Sequence, residues 1–349
     1  MKANPVFKIN NRKIGVDYKP LIIPEIGINH NGSLEIACKM VDAAKRAGAE
    51  IIKHQTHIPE DEMSSEAKFI KPGNSNKSIF QVIKENSLSL EDEYKLFQYT
   101  KKKSLRFIST PFSRKSVDRL VKFGVKSFKV GSGEFNNFPL LDYICKFKKP
   151  MIISTGMHSI VTVKKVVNYL RKKKATFCLL HTTNLYPTPD KLVRLDSLKE
   201  IKQNFSDLVF GLSDHTKTNY SSFGAVTLGA SIIEKHFTDH KKRKGPDIPA
   251  SIDENELKEL IIGCNILRLQ RGGNKNHLKQ EQVTRNFAFA SVVTIKDIKK
   301  GERFSKNNLW VKRPGNGQIK AKDYYKVLGK KSKKNIRNNI QLKLSHING

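Results

Sequence analysis

Polar side chains, among them lysine, histidine and carboxylates, follow short apolar runs at eight places in this sequence. These places are residues 25–30, 53–55, 109–111, 129–134, 154–156, 181–184, 213–215 and 234–236. Charged groups next to apolar runs are costly to bury unless a counter-ion or ligand pairs with them. The recurrence therefore predicts one convergent polar pocket rather than eight unrelated polar loops.

Two lysines among these groups suit the binding of a small dianion. Lys53 and Lys129 can supply positive charge to phosphate and carboxylate oxygens. Hydroxyl and amide groups that can act as oriented donors are Thr110, Ser132, Ser154, Asn184 and Ser213. Phosphoenolpyruvate carries both a phosphate and a carboxylate. A single lysine inside a barrel can also form a Schiff base, and Lys53 keeps that alternative role.

His215 and His236 end two runs that would be neighbouring strands. Either one alone is typical of a hydrogen-bonded structural histidine, but two imidazoles side by side indicate a divalent-metal site with open positions for water or substrate. Carboxylates close to them are Asp214, Glu234 and Asp247.

Glu25 and Glu134 belong to the same set of strand ends. Each could orient sugar hydroxyls or exchange protons with water. Ion pairing with Lys53 or Lys129 is the structural alternative, and the sequence leaves both open.

The elements that must position these groups alternate between strands and helices. Predicted strands are 21–26, 51–53, 107–110, 127–130, 151–154, 177–181, 208–212 and 231–234, and amphipathic stretches between them include 34–47, 91–103, 116–123, 161–172 and 222–229. This alternation predicts a parallel α/β arrangement, and eight strands predict a (β/α)8 TIM barrel with its active site at the carboxyl ends of the strands.

Length and composition agree with an enzyme of two domains. The 349 residues exceed a barrel of about 250 residues, and 38% hydrophobic residues suffice for a large core. The four cysteines form no CxxC pair, and no secretory h-region or membrane-spanning run is visible, so we expect a cytoplasmic protein without a membrane partner. The net charge of +33 raises nucleic-acid binding as an alternative. The lysines are spread along the chain, which indicates a solvated surface and no nucleic-acid partner.

Several longer motifs go beyond single residues. They include EIGINHNG at 25–32, KHQTH at 53–57, KVGSGE at 129–134, YPTP at 186–189, GLSDHT at 211–216 and HFTD at 236–239. With them the chain resembles bacterial N-acetylneuraminate (sialic acid) synthases over nearly its whole length.

The resemblance implies a carbohydrate-biosynthesis reaction in which C3 of phosphoenolpyruvate attacks the aldehyde of N-acetylmannosamine, water adds at C2 and phosphate leaves. It implies Mn²⁺ held by His215 and His236, and catalytic roles for these two with Glu25 and Glu134, the last in proton transfer. Phosphoenolpyruvate would contact Lys53, Thr110, Lys129, Ser132, Ser154, Asn184 and Ser213. The sugar would contact Glu25, Gln55, Tyr186 and Asp247.

A second module is predicted after the barrel. We expect the catalytic domain at 1–276 and a polar linker at 277–284. The module at 285–349, with a first β-rich run at 287–293, resembles the antifreeze-like (SAF) domain of the same synthases. Arg313 lies on a turn that can project its guanidinium, which suits sugar hydroxyls or an acetamido carbonyl. The resemblance implies that this arginine reaches the partner's active site in a domain-swapped homodimer.

Two other enzymes remain as alternatives. One is a synthase for legionaminic or pseudaminic acid that uses a diacetamido-trideoxy sugar, although the motifs at 55–57, 61–63 and 186–189 favour the neuraminate type. The other is a Schiff-base aldolase that relies on Lys53.

Overall fold

The computed structural model describes residues 3–73 and 75–348, which divide into two compact units, residues 1–272 and 273–349. The boundary falls a few residues before the predicted end of the barrel at 276. Across the described residues, no helix combines the length and apolar composition that a membrane span requires.

The first unit contains a short hairpin and a closed barrel. The hairpin strands are β1 (Phe7–Ile9) and β2 (Arg12–Ile14). The barrel strands are β3 (Leu21–Gly27), β4 (Ile51–Thr56), β5 (Arg106–Pro111), β6 (Phe128–Val130), β7 (Met151–Ser154), β8 (Phe177–Thr182), β9 (Phe210–Asp214) and β10 (Ile232–His236). All neighbours in the barrel are parallel, and β10 closes it against β3. The predicted TIM barrel is confirmed.

Helices surround the barrel. They are α1 (Leu34–Arg46), α2 (Pro59–Glu62), α3 (Ile79–Asn86), α4 (Leu90–Lys102), α5 (Arg114–Phe123), α6 (Phe138–Cys145), α7 (Ile160–Lys172), α8 (Asp196–Asn204), α9 (Tyr220–Thr227) and α10 (Glu254–Gln270). Serine side chains cap several of them: Ser33, Ser89 and Ser159 each accept a hydrogen bond from a backbone N–H of the first turn. Gly124 ends α5 at a φ of 82°, in the left-handed region that favours glycine at the end of a helix.

Alternation along the strands divides the apolar core in two. Leu21, Ile51 and Ile232 belong to a cluster inside the barrel, which Ile9 and Ile14 of the hairpin also join. Their strand neighbours, among them Ile22, Ile52 and Ile233, belong to the larger cluster between strands and helices. The side-chain period of two thus fixes which residues of each strand point toward the barrel axis.

The second unit is built around an antiparallel ribbon of β11 (Ser291–Thr294) and β12 (Leu309–Lys312). Its own core contains Val292, Phe304 and Leu309. Its helices are α11 (Gln282–Ala288) and α12 (Tyr324–Val327). Two predictions need correction here: the segment 277–284 contains the start of α11 rather than only a linker, and the run 287–293 begins in that helix before it becomes a strand.

Candidate active site

The polar residues predicted at the strand ends occupy inward-facing positions of the barrel. Ile51 lies in the barrel's interior cluster, so Lys53 and Gln55, two and four residues later, face the same side. The same period places Glu234 and His236 after Ile232. Together the strand ends line a cavity of about 270 Å³ at the carboxyl face.

Two buried lysines lie within this cavity and share one carboxylate. Lys53 Nζ lies 2.5 Å from Glu25 Oε1 and 3.2 Å from Glu234 Oε1. Lys129 Nζ lies 3.6 Å from the same Glu234 oxygen and donates a hydrogen bond of 2.7 Å to Ser154 Oγ. Ser213 Oγ also donates to Glu234, at 3.0 Å. Glu234 therefore fixes three of the groups predicted to bind an anion.

The two lysines differ in acidity. Burial lowers the pKa of Lys53, but the carboxylates of Glu234 and Glu25 outweigh it and hold the pKa above its ordinary value. Burial lowers the pKa of Lys129 to about 8, because Glu234 compensates only in part and Lys53 repels the second charge. The Lys53 ammonium, held in two ion pairs, is a poor candidate for the free amine that a Schiff base requires.

Several buried polar atoms around the lysines have no hydrogen-bond partner among the described residues. They are Thr110 Oγ1, Thr182 Oγ1, Asn184 Oδ1 and Glu234 Oε2. Buried polar groups in folded proteins are almost always paired, so their concentration in one cavity indicates that a polar ligand completes them.

His215 and His236 lie side by side, with ring centroids 5.3 Å apart, as their positions on β9 and β10 predicted. His215 Nδ1 donates to the carbonyl oxygen of Thr183 at 2.8 Å, which leaves the lone pair on Nε2. Burial, and next to it the neighbouring His236, lower the pKa of His215 to about 3, so the ring is neutral at physiological pH. Tyr186 stacks on His215 at 4.2 Å between centroids.

The two imidazoles offer donor atoms to a metal ion. His236 Nδ1 has no hydrogen-bond partner among the described residues, and Glu25 Oε2 lies 3.8 Å from His236 Nε2. Within the described chain, no cluster of three or more His, Cys, Asp or Glu side chains is arranged as a complete metal site. Two imidazoles with open positions fit a divalent ion that also binds substrate oxygen or water.

A chain of hydrogen bonds continues from Glu25 through Gln55 and His57. Gln55 Nε2 donates to Glu25 Oε1 at 2.7 Å, and His57 Nε2 lies 3.0 Å from Gln55 Oε1. On its other side, His57 Nδ1 lies 2.9 Å from Glu62 Oε1. Asp247 Oδ2, which also lines the cavity, lies 3.7 Å from His236 Nδ1.

The structure brings together most of the predicted site residues but not all. The cavity is lined by Glu25, Lys53, Gln55, Thr110, Lys129, Ser132, Ser154, Asn184, Tyr186, Ser213, His215, His236 and Asp247. Glu134 is absent from this lining; it lies next to Gly133, accepts a hydrogen bond from Asn137 and has a pKa raised by burial. Arg313 is an exposed residue of the second unit.

Sequence reasoning missed three features of the cavity. Glu234 was considered only as a carboxylate near the imidazoles, not as the group that holds both lysines. Thr182 was passed over, although it follows the inward-facing Leu180 by two residues. His57, quoted only within a motif, also lines the cavity.

The cavity also has an apolar side. Its apolar lining residues include Ile28, Pro72, Ile79, Val82, Ile83, Phe112 and Pro246. Three of them, Ile79, Val82 and Ile83, come from α3, which lies in the long connection between β4 and α4.

Comparison with known proteins gives matches along most of the chain. Residues 40–276 match the NeuB family, and residues 289–348 match the SAF domain. An N,N'-diacetyllegionaminic acid synthase of Campylobacter jejuni is 40% identical over 91% of this chain and 97% of its own length. A pseudaminic acid synthase of the same organism is 34% identical, covering 92% and 94%. The crystal structure of an N-acetylneuraminic acid synthetase from Leptospira borgpetersenii, in complex with citrate, superimposes with a TM-score of 0.73 at 29% identity, covering 80% of this chain and 95% of that one.

Proposed function

Because the chain belongs to the NeuB family, we propose that it condenses phosphoenolpyruvate with an acetamido sugar and water to give a nonulosonic acid and phosphate. The observation that carries this proposal is the pair of buried lysines beside unpaired hydroxyl and amide groups and two adjacent imidazoles. A dianion and a carbonyl oxygen are the ligands that such groups bind best.

We propose legionaminic acid chemistry as the specific reaction. The relative named for that product is 40% identical, against 34% for the pseudaminic acid synthase, so the acceptor in our proposal is a diacetamido-trideoxy sugar. N-acetylmannosamine, which the sequence motifs favour, remains the second candidate because the matching crystal structure at 29% identity is an N-acetylneuraminic acid synthetase.

The proposed reaction begins with phosphoenolpyruvate held by its two anionic groups. Lys53 and Lys129 pair with its phosphate and carboxylate, and the hydroxyls of Thr110 and Ser132 and the Asn184 amide complete the contacts. Glu234 keeps both lysines in place when no substrate is bound. This arrangement orients C3 of the enol toward the sugar aldehyde.

The sugar is proposed to lie toward Glu25, Gln55, Tyr186 and Asp247. Bond formation between C3 of phosphoenolpyruvate and the aldehyde carbon turns the aldehyde oxygen into a hydroxyl, and water then adds at C2. The C–O bond to phosphate breaks, and inorganic phosphate leaves. Glu134, beside the cavity and with a raised pKa, is our proposed group for moving a proton to or from water.

His215 and His236 would hold a divalent ion, Mn²⁺ in our proposal. When bound, such an ion supplies polarisation of the aldehyde oxygen and a site for water. The neutral ring of His215 contributes a lone pair without a competing proton, since burial keeps its pKa near 3.

An assay of phosphate release tests the proposed function. We expect release from phosphoenolpyruvate only when an acetamido sugar is present, its loss after chelation and its return with Mn²⁺. With ¹⁸O in the bridging position of phosphoenolpyruvate, the label should appear in phosphate, because the C–O bond breaks. Release that needs no sugar, or label retained in the organic product, would contradict the proposal.

A further inference from the structure

Three buried aliphatic side chains lie against the cavity instead of the protein's hydrophobic cores. Ile28, Val82 and Ile83 are 5%, 6% and 8% exposed. In the part of the chain that the structure describes, none of them belongs to any of the three core clusters. All three line the cavity that holds the lysines and imidazoles. We call Ile28, Val82 and Ile83 the apolar wall of the cavity.

The wall is a built feature of the fold. Val82 and Ile83 lie three and four residues after Ile79, so all three share one face of α3. Ser78 caps this helix in a reciprocal capping box with Gln81. An amphipathic helix normally turns such a face to the core, whereas α3 turns it toward the site.

The position of α3 is also fixed at its carboxyl end. A Cβ atom on Gly32, which has a φ of +72°, would lie 2.8 Å from the backbone oxygen of Glu85. The chain after β3 therefore approaches α3 closely, and Ile28 comes from that same stretch. The wall is thus fixed from two separate segments of the barrel's carboxyl face.

The wall comes from segments that follow two strands carrying residues proposed to bind the sugar. Ile28 follows β3, the strand of Glu25, and α3 follows β4, the strand of Gln55. Phe112, which also lines the cavity, stacks on His57 at 4.3 Å between centroids, and His57 contacts Gln55.

The chemistry of the two candidate sugars distinguishes them at such a wall. Phosphoenolpyruvate has no methyl group to place there. N-acetylmannosamine has one acetyl methyl and carries hydroxyls at C4 and C6. A diacetamido-trideoxy hexose replaces these hydroxyls with a second acetamido group and a methyl. Apolar contact favours the methyl groups, and hydroxyls placed there would lack hydrogen-bond partners.

We infer that the apolar wall of Ile28, Val82 and Ile83 selects the acceptor sugar, and that it favours a 6-deoxy sugar with two acetamido groups over N-acetylmannosamine. The inference rests on the proposed function and names the substrate class of the same site. The wall contacts the methyl groups of the sugar, while Glu25 and Gln55 bind its polar side.

Polar substitutions in the wall test this inference. Val82→Thr preserves the volume of the side chain, and Ile83→Asn makes a stronger change. We expect wild-type protein to release phosphate with a higher kcat/KM for the diacetamido sugar than for N-acetylmannosamine. Each variant should lower that preference by about tenfold or more, because one lost apolar group changes discrimination by that order. The KM for phosphoenolpyruvate should stay unchanged.

Val121→Thr serves as the matched control, since this half-buried valine of α5 packs against the main core away from the site. It should leave the sugar preference as in the wild type. If Ile83→Asn does not fold, the isosteric Val82→Thr still tests whether the wall sets the sugar preference. Phosphate release with an unchanged preference in Val82→Thr would overturn the wall's role while leaving the proposed function intact. No release by the wild type with either sugar would overturn the proposed function and this inference with it.

Discussion

Lys53 and Lys129 show how neighbouring groups make two identical side chains chemically different. Lys53 has two carboxylates within 3.2 Å, whereas the nearest carboxylate to Lys129 lies at 3.6 Å and is already shared. Burial disfavours both charges, so the number and distance of counter-ions decide the sign of each shift. The pKa of Lys53 is raised, and that of Lys129 falls to about 8.

The pKa of Lys129 predicts how binding of phosphoenolpyruvate depends on pH. A lysine is charged below its pKa, so Lys129 is an ammonium below about pH 8 and becomes neutral above it. We expect kcat/KM for phosphoenolpyruvate to fall as the pH rises through about 8. Measurement of phosphate release from about pH 6.5 to 9.5 checks this. The expected fall lies well below the ordinary lysine pKa of about 10.4.

Lys129→Arg provides the control, because a guanidinium stays charged throughout this range. The overall activity of Lys129→Arg should be lower, since a guanidinium differs in shape from an ammonium. The fall in kcat/KM near pH 8 should be absent. An identical fall in the arginine variant would assign the titration to another group.

At the scale of secondary structure, strand alternation also creates buried polar residues on the outside of the barrel. Asp214 and Lys235 are register partners on β9 and β10, and their charged atoms lie 2.9 Å apart. Ser222 Oγ donates to Asp214 at 2.7 Å, and the backbone N–H of Thr216 donates to its other oxygen at 2.8 Å. This ion pair joins the two strands that carry His215 and His236.

Removal of one partner of this pair should destabilise the barrel. The side chains of Lys235 and Asp214 are 0% and 1% exposed, so Lys235→Met leaves a buried carboxylate without its counter-ion. We expect a loss of about 3 kcal/mol in the free energy of unfolding. Urea denaturation followed by circular dichroism measures it.

The double variant Asp214→Asn/Lys235→Met should recover part of this loss, because it removes the uncompensated charge. Lys165→Met on the exposed face of α7 is the surface control and should change stability by no more than about 0.5 kcal/mol. Equal stability of Lys235→Met and Lys165→Met would show that the buried pair contributes nothing.

At the scale of the whole molecule, the chain consists of two units with separate cores. The clusters around Leu21 and Ile22 belong to the first unit, and Val292 and Phe304 belong to the second. Arg313 lies in the second unit, two residues before the buried Gly315. The resemblance implies that Arg313 acts in the site of a partner subunit, and that role requires a homodimer.

Mixing two impaired variants tests that role. Arg313→Ala should weaken sugar binding and leave the barrel folded, and His215→Ala should abolish activity. A domain-swapped dimer of one Arg313→Ala subunit and one His215→Ala subunit has two active sites. One of them combines an intact His215 with the intact arginine of the other subunit. When equal amounts of the two variants are unfolded together and refolded, half of the dimers should be mixed. Because each mixed dimer has one intact site of two, about a quarter of wild-type activity should return.

Size-exclusion chromatography with light scattering should show a dimer for each variant and for the mixture. Unchanged kinetics of Arg313→Ala would remove this arginine from the site. Mixtures with no more activity than the separate variants would indicate that the arginine serves its own subunit's barrel.

The sequence alone was sufficient to predict the barrel and most of its polar lining. Eight apolar runs with polar ends gave the strand number, and strand alternation explains why Lys53, Ser154 and His236 face the cavity. These features are local: a strand's period and its end are properties of a few consecutive residues. Glu134 shows the limit of this reasoning, because it follows the end of a strand without lining the cavity.

Only the tertiary structure decided which side chains pair and what fills the space between them. Glu234 and Lys53 are 181 positions apart, and nothing near either residue indicates that this carboxylate holds both lysines. The helix α3 reads as an ordinary amphipathic helix, and its apolar face could equally have packed on the core. Such choices depend on contacts between distant segments, whose geometry is set when the barrel closes.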